Sequence, residues 1–432
     1  MKKIFYSFLI FSFILTIFSC GKSTEENVGD AVSKTSDNID GVVGDNNDTA
    51  VDLENTLSGG GSVGSCDNTK AFIVGNAVTE KGCHPNCPES KAVIWNLQKC
   101  ITVLGDSSYA VDAAEHNGSI YIADDGGFYF IVRAGNKIEK HPLKYSGYKL
   151  SEVTGIDVNS YGDVYVAGVV CKKNCKEKNL YNAYWKNGEL VKAFRENGFA
   201  KDGTTYSEIH VAADSKGKVF IPGWRIDLHH NVDAAIWING NIKILANNAD
   251  SEATDAVVAS ETASGSDVWI SGAQGGSTRG SSLAGYWRRK PNGTISGITK
   301  VTKVRTYNSA VNHVYSSTAS SIFVSGSKVY MAGTVNVINA GDVPVYWKGK
   351  TQHELPVEFN LNTCDYCTVE PKDIAVLDGK VLVVGDYHDR NEFVDYTYTN
   401  GEAKAVYWLD KKLQKLCESC GSSYAVAVLV MD

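Results

Sequence analysis

An excess of basic residues is missing from this chain of 432 residues: 42 Lys and Arg stand against 49 Asp and Glu, a formal net charge of −7. A nucleic-acid binder needs clustered cations to neutralise phosphates, so that class is excluded and no nucleic-acid partner is expected. Phosphate-loop, EF-hand and metalloprotease motifs are absent as well, which removes the signatures of nucleotide, calcium and zinc-protease chemistry. The string Gly60-Gly61-Ser62-Val63-Gly64 matches the nucleophile-elbow pattern. No strand precedes it and no helix follows it, so it is discarded. The sequence assigns no catalytic residue, cofactor or metal. Proline is scarce, 8 residues beside 41 glycines, while 43% of the chain is hydrophobic, enough to bury a large core. The recurrence of Val, Ile, Tyr, Trp and Gly favours strands and turns over helices.

The N-terminus reads as an export signal. Lys2-Lys3 precede a charge-free apolar run, Ile4 to Phe18, which is shorter than the ~20 residues that cross a bilayer as a helix. The run ends at Ile17-Phe18-Ser19-Cys20, which resembles the lipobox of bacterial lipoproteins. That resemblance implies a signal peptide over residues 1–19 and a diacylated Cys20 as the mature terminus. It also implies a cell-envelope location, lipid-anchored at the outer membrane or cell surface, with the membrane as a partner. The alternative is an ordinary secretory signal cleaved near Ser19. Loss of Lys2 and Lys3 takes the net charge from −7 to −9. Residues 20–65 form an acidic tether that ends in Gly and Ser and shows no strand or helix period. Such a segment buries too little apolar area to offset its chain entropy and spans roughly 35–40 Å on average.

From Ala71 onward one phrase recurs: an apolar strand ending in Gly, a variable loop, then a strand ending in Trp. Its copies run from Phe72-Ile73-Val74-Gly75 and Val93-Ile94-Trp95 to Val381-Leu382-Val383-Val384-Gly385 and Val406-Tyr407-Trp408. Trp185, Trp237, Trp287 and Trp347 end four more. A weaker copy, Ile120-Tyr121-Ile122-Ala123 with Phe128-Tyr129-Phe130-Ile131, lacks both the Gly and the Trp. Two shorter strands per unit, joined by turns such as Asn117-Gly118, Tyr161-Gly162, Lys216-Gly217 and Asp378-Gly379, complete a four-stranded antiparallel pattern. Strong copies from Trp185 onward stand 50 to 61 residues apart, and four strands at that period are the signature of propeller blades. The fold class is therefore all-β, a β-propeller over residues 66–432. Seven blades are counted, or six if the weak copy is not a full blade. The repeat opens on a second strand and finishes on a first strand, Tyr424 to Leu429, so a C-terminal strand is expected to complete the N-terminal blade and leave no open edge. The Tyr184-Trp185-Lys186-Asn187-Gly188 unit is similar to those of bacterial surface lipoprotein propellers, a group that supplies no catalytic residues to carry over. The Trp row reads as an inter-blade packing layer rather than as stacking platforms for sugars.

Besides Cys20 there are ten cysteines, an even number in an exported chain, so disulfides are the first reading. Four pairs are local: Cys83/Cys87, Cys171/Cys175, Cys364/Cys367 and Cys417/Cys420. Cys66 is left with Cys100. The local pairs fall on loops of the end where first strands begin, here called the top face. Cys66 and Cys100 fall at the bottom, where a bridge would pin the tether. A four-cysteine zinc site from the two C-x-x-C motifs competes, but they lie too far apart for a zinc ribbon.

Candidate binding residues on the top face are His84, the loop Asp227, His229 and His230, His388, and Glu152 and Glu208 near the starts of first strands. His210, Asp255 and Asp373 are placed at or near the channel, where they either draw a cation or hydrogen-bond free backbone groups. The expected function is a non-enzymatic surface-binding module, monomeric, engaging a protein or glycan through the top face. The alternatives are a hydrolase or lyase with acid/base residues at the channel mouth, and a structural subunit of an envelope complex.

Overall fold

In a computed structural model, seven sheets are arranged in a ring to make a seven-bladed propeller. The structure describes residues 70–78, 90–97, 101–105, 108–134, 137–172, 175, 179–194, 210–226, 231–246, 251–275, 282–301, 306–307, 312–337, 341–358, 368–388, 393–394, 397–398, 403–417 and 422–431. All of them belong to one unit, Asn47–Asp432.

Blade one holds Ala71–Val78, Lys91–Asn96 and Ile101–Val103, and its innermost strand is Ser422–Val430. Blade two spans Ala110–His116 to Lys137–Pro142, blade three Lys149–Val158 to Glu189–Phe194, and blade four Ala212–Ala213 to Asn241–Ile244. Blade five runs from Glu252–Thr262 to Thr299–Lys300, blade six from Thr306–Tyr307 to Thr351–Glu354, and blade seven from Thr368–Leu377 to Lys412–Lys415. Each innermost strand packs against that of the next blade around the whole ring. Closure is as expected: Ser422–Val430 pairs antiparallel with Ala71–Val78, from Ala71 opposite Val430 to Val78 opposite Ser422.

Seven separate apolar clusters fill the seven blade interfaces. Six of them hold one of Trp95, Trp185, Trp237, Trp287, Trp347 and Trp408, each at most 2% exposed. These indoles occupy one register, opposite Ile73, Val166, Ile221, Ile270, Met331 and Val383. The Trp row is thus a packing layer. The indole N–H of Trp185 donates to the Lys144 carbonyl (2.8 Å) and that of Trp408 to the Pro356 carbonyl (2.7 Å), each in the connection from the preceding blade.

The weak copy is a complete blade. Phe130, opposite Ile122, takes the Trp position and fills the interface between blades one and two. Asp124 takes the Gly position. Elsewhere that Gly is required by close approach: a Cβ on Gly75 would lie 2.0 Å from the Tyr424 carbonyl, and on Gly333 2.0 Å from the Thr318 carbonyl. Asp124 instead accepts the Tyr109 N–H (2.8 Å) and the Gly126 N–H (2.7 Å), so its side chain supplies a contact to the start of the inner strand.

Two of the expected two-residue turns need correction. Asn117-Gly118 and Asp378-Gly379 have positive φ at both residues, as that hairpin demands. At Tyr161-Gly162 and Lys216-Gly217 only the glycine does. Those loops are longer, and the side chains of Asn159 and Asp214 accept backbone N–H groups within them.

Candidate functional site

Two features stand out: a polar layer on the ring axis and an aromatic rim on the top face. The axial layer follows from a repeated bulge. The inner strands slip by one residue at Ala110/Asp112, Val153/Gly155, Ala253/Asp255, Ala319/Ser321, Pro371/Asp373 and, in blade one, Ala425/Ala427, and the residue after each slip falls at one level of the ring. Three of these six are aspartates.

Each carboxylate clasps the next blade. Asp112 accepts the Ile156 N–H (2.9 Å), Asp255 the Ile322 N–H (2.9 Å) and Asp373 the Val428 N–H (2.8 Å). Blade three has Gly155 at this level and uses Asp157, two residues on, to accept the Ala213 N–H (2.7 Å). All four also accept the N–H of the residue that follows them. Asp255 and Asp373 thus hold free backbone groups of inner strands, the second of the two roles set out for them. The bare Gly155 lies between blades two and four, and His210 Nδ1 comes within 3.3 Å of Asp112 Oδ2.

Ser321 ties two clasps together: its Oγ is 2.6 Å from Asp373 Oδ1 and 3.0 Å from Asp255 Oδ2. A hydroxyl carries one proton, so the trio is fully satisfied when one of the two carboxyls is protonated. Electrostatics agree. Burial pushes the Asp373 carboxyl up to about 6 and that of Asp157 up to about 7, and it raises Asp255 as well. Burial opposes the charge on His210, yet Asp255, Asp112 and Asp373 prevail and hold its pKa at about 10. The layer is therefore a proton-holding set of inter-blade clasps. Among the described residues, no group of three or more His, Cys, Asp or Glu could hold a metal ion.

The second feature lies on the top face between blades two and three. Tyr145, Tyr148, Leu150 and Tyr181 are half-buried and pack on the apolar cluster of that interface. The rings of Tyr148 and Tyr181 meet edge to face with centroids 5.7 Å apart. Lys172 Nζ lies 5.2 Å from the first ring centroid and 5.4 Å from the second. A disulfide, Cys171–Cys175, closes the loop that carries this lysine. Lys149, exposed, begins the inner strand opposite Cys171.

Of the residues singled out from sequence, Cys171 and Cys175 form the expected bond, and Cys417 is disulfide-bonded. Glu152 sits opposite Val169 at the top of blade three, and His388 ends its strand opposite Thr368 at the top of blade seven, its side chain lying outside the described residues. Cys20, Cys66, Cys83, Cys87, Cys100, Cys364, Cys367, Cys420, His84, Glu208, Asp227, His229 and His230 also lie outside the described residues. Sequence reasoning missed Asp112, Asp157, Ser321 and the rim tyrosines. The Asp-apolar-apolar beginnings Asp112-Ala113-Ala114, Asp255-Ala256-Val257 and Asp373-Ile374-Ala375 were a usable signal for the axial layer.

No family model matches this chain, and no curated protein matches it. Solved structures resemble it at low identity. A protein of unknown function from Bacteroides caccae is 11% identical with a TM-score of 0.35, covering 84% of this chain and 99% of that one. A protein of unknown function from Dyadobacter fermentans is also 11% identical with a TM-score of 0.41, covering 84% and 99%. A putative TolB from Agrobacterium tumefaciens is 9% identical with a TM-score of 0.35, again covering 84% and 99%.

Proposed function

We propose that this protein is a lipid-anchored binding module of the bacterial envelope that engages a protein or glycan through its top face, without catalysis and as a monomer. In this reading Cys20 carries the lipid, residues 20–65 hold the propeller off the membrane, and residues 66–432 bind. The observation that carries it is where the fold departs from four strands per blade. The extra strand Thr306–Tyr307 pairs with the beginning of the blade-six inner strand. The extra hairpin of Phe393–Val394 and Thr397–Tyr398 lies between the second and third strands of blade seven. Both belong to the end that carries the Cys171–Cys175 loop. Elaboration at one end of a closed ring supports a recognition surface, and a covalently closed loop lowers the ordering cost of association. The axial acids bond backbone groups of neighbouring blades, an architectural use that favours binding over acid/base chemistry. The test is an array of glycans and envelope or host proteins probed with the full-length chain, beside a hydrolase and lyase activity screen. A retained partner is the expected result. Turnover in the screen with no retained partner would overturn the proposal.

A further inference from the structure

We propose that the rim of Tyr145, Tyr148 and Tyr181 with Lys149 and Lys172 binds an anionic glycan, a chain of sugar rings bearing carboxylate or sulfate groups. The inference rests on the top-face reading and names its partner. Three observations meet there. The first is the aromatic cluster itself: three half-buried tyrosines, each leaving part of a ring with an apolar body and a polar hydroxyl tip at the surface. A sugar ring offers the complementary pattern, C–H groups on its flat faces and hydroxyls around its edge.

The second is charge. Lys149 and Lys172 are both exposed beside these rings, in a chain whose net charge is −7. Neighbouring cations on an acidic molecule draw an anion to that place. The third is order. Lys172 lies over both aromatic rings inside the loop closed by Cys171–Cys175, so its ammonium is positioned before any ligand arrives. An acidic peptide would satisfy the lysines and leave the ring faces unused. A neutral glycan would do the reverse. An anionic glycan uses both.

Isothermal titration of the full-length chain with oligogalacturonate, heparin fragments, neutral dextran and polyglutamate tests this. At least one of the two anionic glycans binds, and more weakly as salt rises. Dextran and polyglutamate bind at least about tenfold more weakly, and Lys172→Gln, Tyr148→Ala and Tyr181→Ala each lose about tenfold, the scale of one charge-assisted or stacking contact. Tyr148→Phe retains most of the affinity, and the exposed Lys172→Gln unfolds at the wild-type temperature, which separates binding from folding. Silence from both anionic glycans, wild-type affinity in Lys172→Gln, or equal affinity for polyglutamate overturns the site. A different partner that binds the top face and ignores these substitutions overturns it while leaving the binding-module reading intact. Absence of any partner overturns both.

Discussion

Replacing Asp373 by alanine should loosen the ring at its seam. Its carboxylate accepts the Val428 N–H at 2.8 Å, the Ile374 N–H at 2.7 Å and the Ser321 hydroxyl at 2.6 Å. Val428 belongs to the strand that closes blade one, so one of these bonds spans the seam. A hydrogen bond to a charged group contributes about 1.5–3 kcal/mol. Asp373 faces the axis and is only half-buried, so water replaces part of that and about 1 kcal/mol per bond is a fair discount. The expected loss is then about 3 kcal/mol, or roughly 4 °C in unfolding temperature for a domain of this size. Asp373→Asn should lose about half as much, because the amide keeps one acceptor and turns an N–H toward a donor. A double-mutant cycle with Ser321→Ala should show coupling of about 1 kcal/mol. Thermal unfolding gives the size of the effect, and amide hydrogen exchange gives its place, with the largest acceleration in Ser422–Val430. An Asp373→Ala protein that melts within about 1 °C of wild type, or whose exchange rises evenly over all blades, refutes the clasp.

Three further expectations follow from the same structure. Asp373 and Asp157, raised to about 6 and about 7, bind protons when folded at pH values where unfolded carboxyls, near 4, are already charged. The extra stability that their bound protons give is complete below that value and lost as pH rises through about 6 to 7, while the backbone clasps remain. His210, held at about 10, gives stability that is lost as pH rises from its ordinary value through about 10, so urea midpoints should fall in two steps and His210→Gln should abolish the second. A midpoint that climbs between about pH 4.5 and 7.5 contradicts this assignment. Gly333→Ala places a Cβ 2.0 Å from the Thr318 carbonyl and should lose about 3 kcal/mol in urea unfolding, whereas Gly349→Ala, with open space around it, should lose about 1 kcal/mol from its positive φ alone. Trp185→Phe breaks the bond to the Lys144 carbonyl, while the buried Trp95 N–H has no such partner among the described residues, so Trp185→Phe should be more destabilising than Trp95→Phe by about 1 kcal/mol in equilibrium unfolding.

The blade pattern could be read from the chain because each blade repeats the same two demands, an indole at the interface and a glycine under the inner-strand bulge. Where blade two meets those demands with Phe130 and Asp124, the pattern fades although the blade does not. Phe130 still fills the space, and Asp124 replaces a backbone approach with side-chain hydrogen bonds. The axial layer was harder to see. Asp112, Asp255, Ser321 and Asp373 share a level only because a bulge precedes each, and a bulge depends on strand pairing rather than on residue type. His210 reaches Asp112 because blade three contributes Gly155, a relation between three blades that no local motif records. The rim joins Tyr148, just before the inner strand of blade three, with Lys172 and Tyr181 on either side of the Cys171–Cys175 loop, and only the pairing of Lys149 and Leu180 with Cys171 brings them together.

Closure by Ser422–Val430 also dictates an order of events. Strand Ala71–Val78 is near the beginning of the propeller, yet its inner partner comes after every other blade. Joining such distant segments adds little to the equilibrium penalty, since each doubling of loop length costs only about 0.6 kcal/mol. The kinetic consequence is larger, because contacts so far apart in sequence form late. A folding intermediate would carry a bare sheet edge on blade one and a lone Asp373 waiting for the Val428 amide. A chain of this design is most exposed to mispairing just before its final strand docks, and substitutions along that strand should appear first as lost yield rather than as lost affinity.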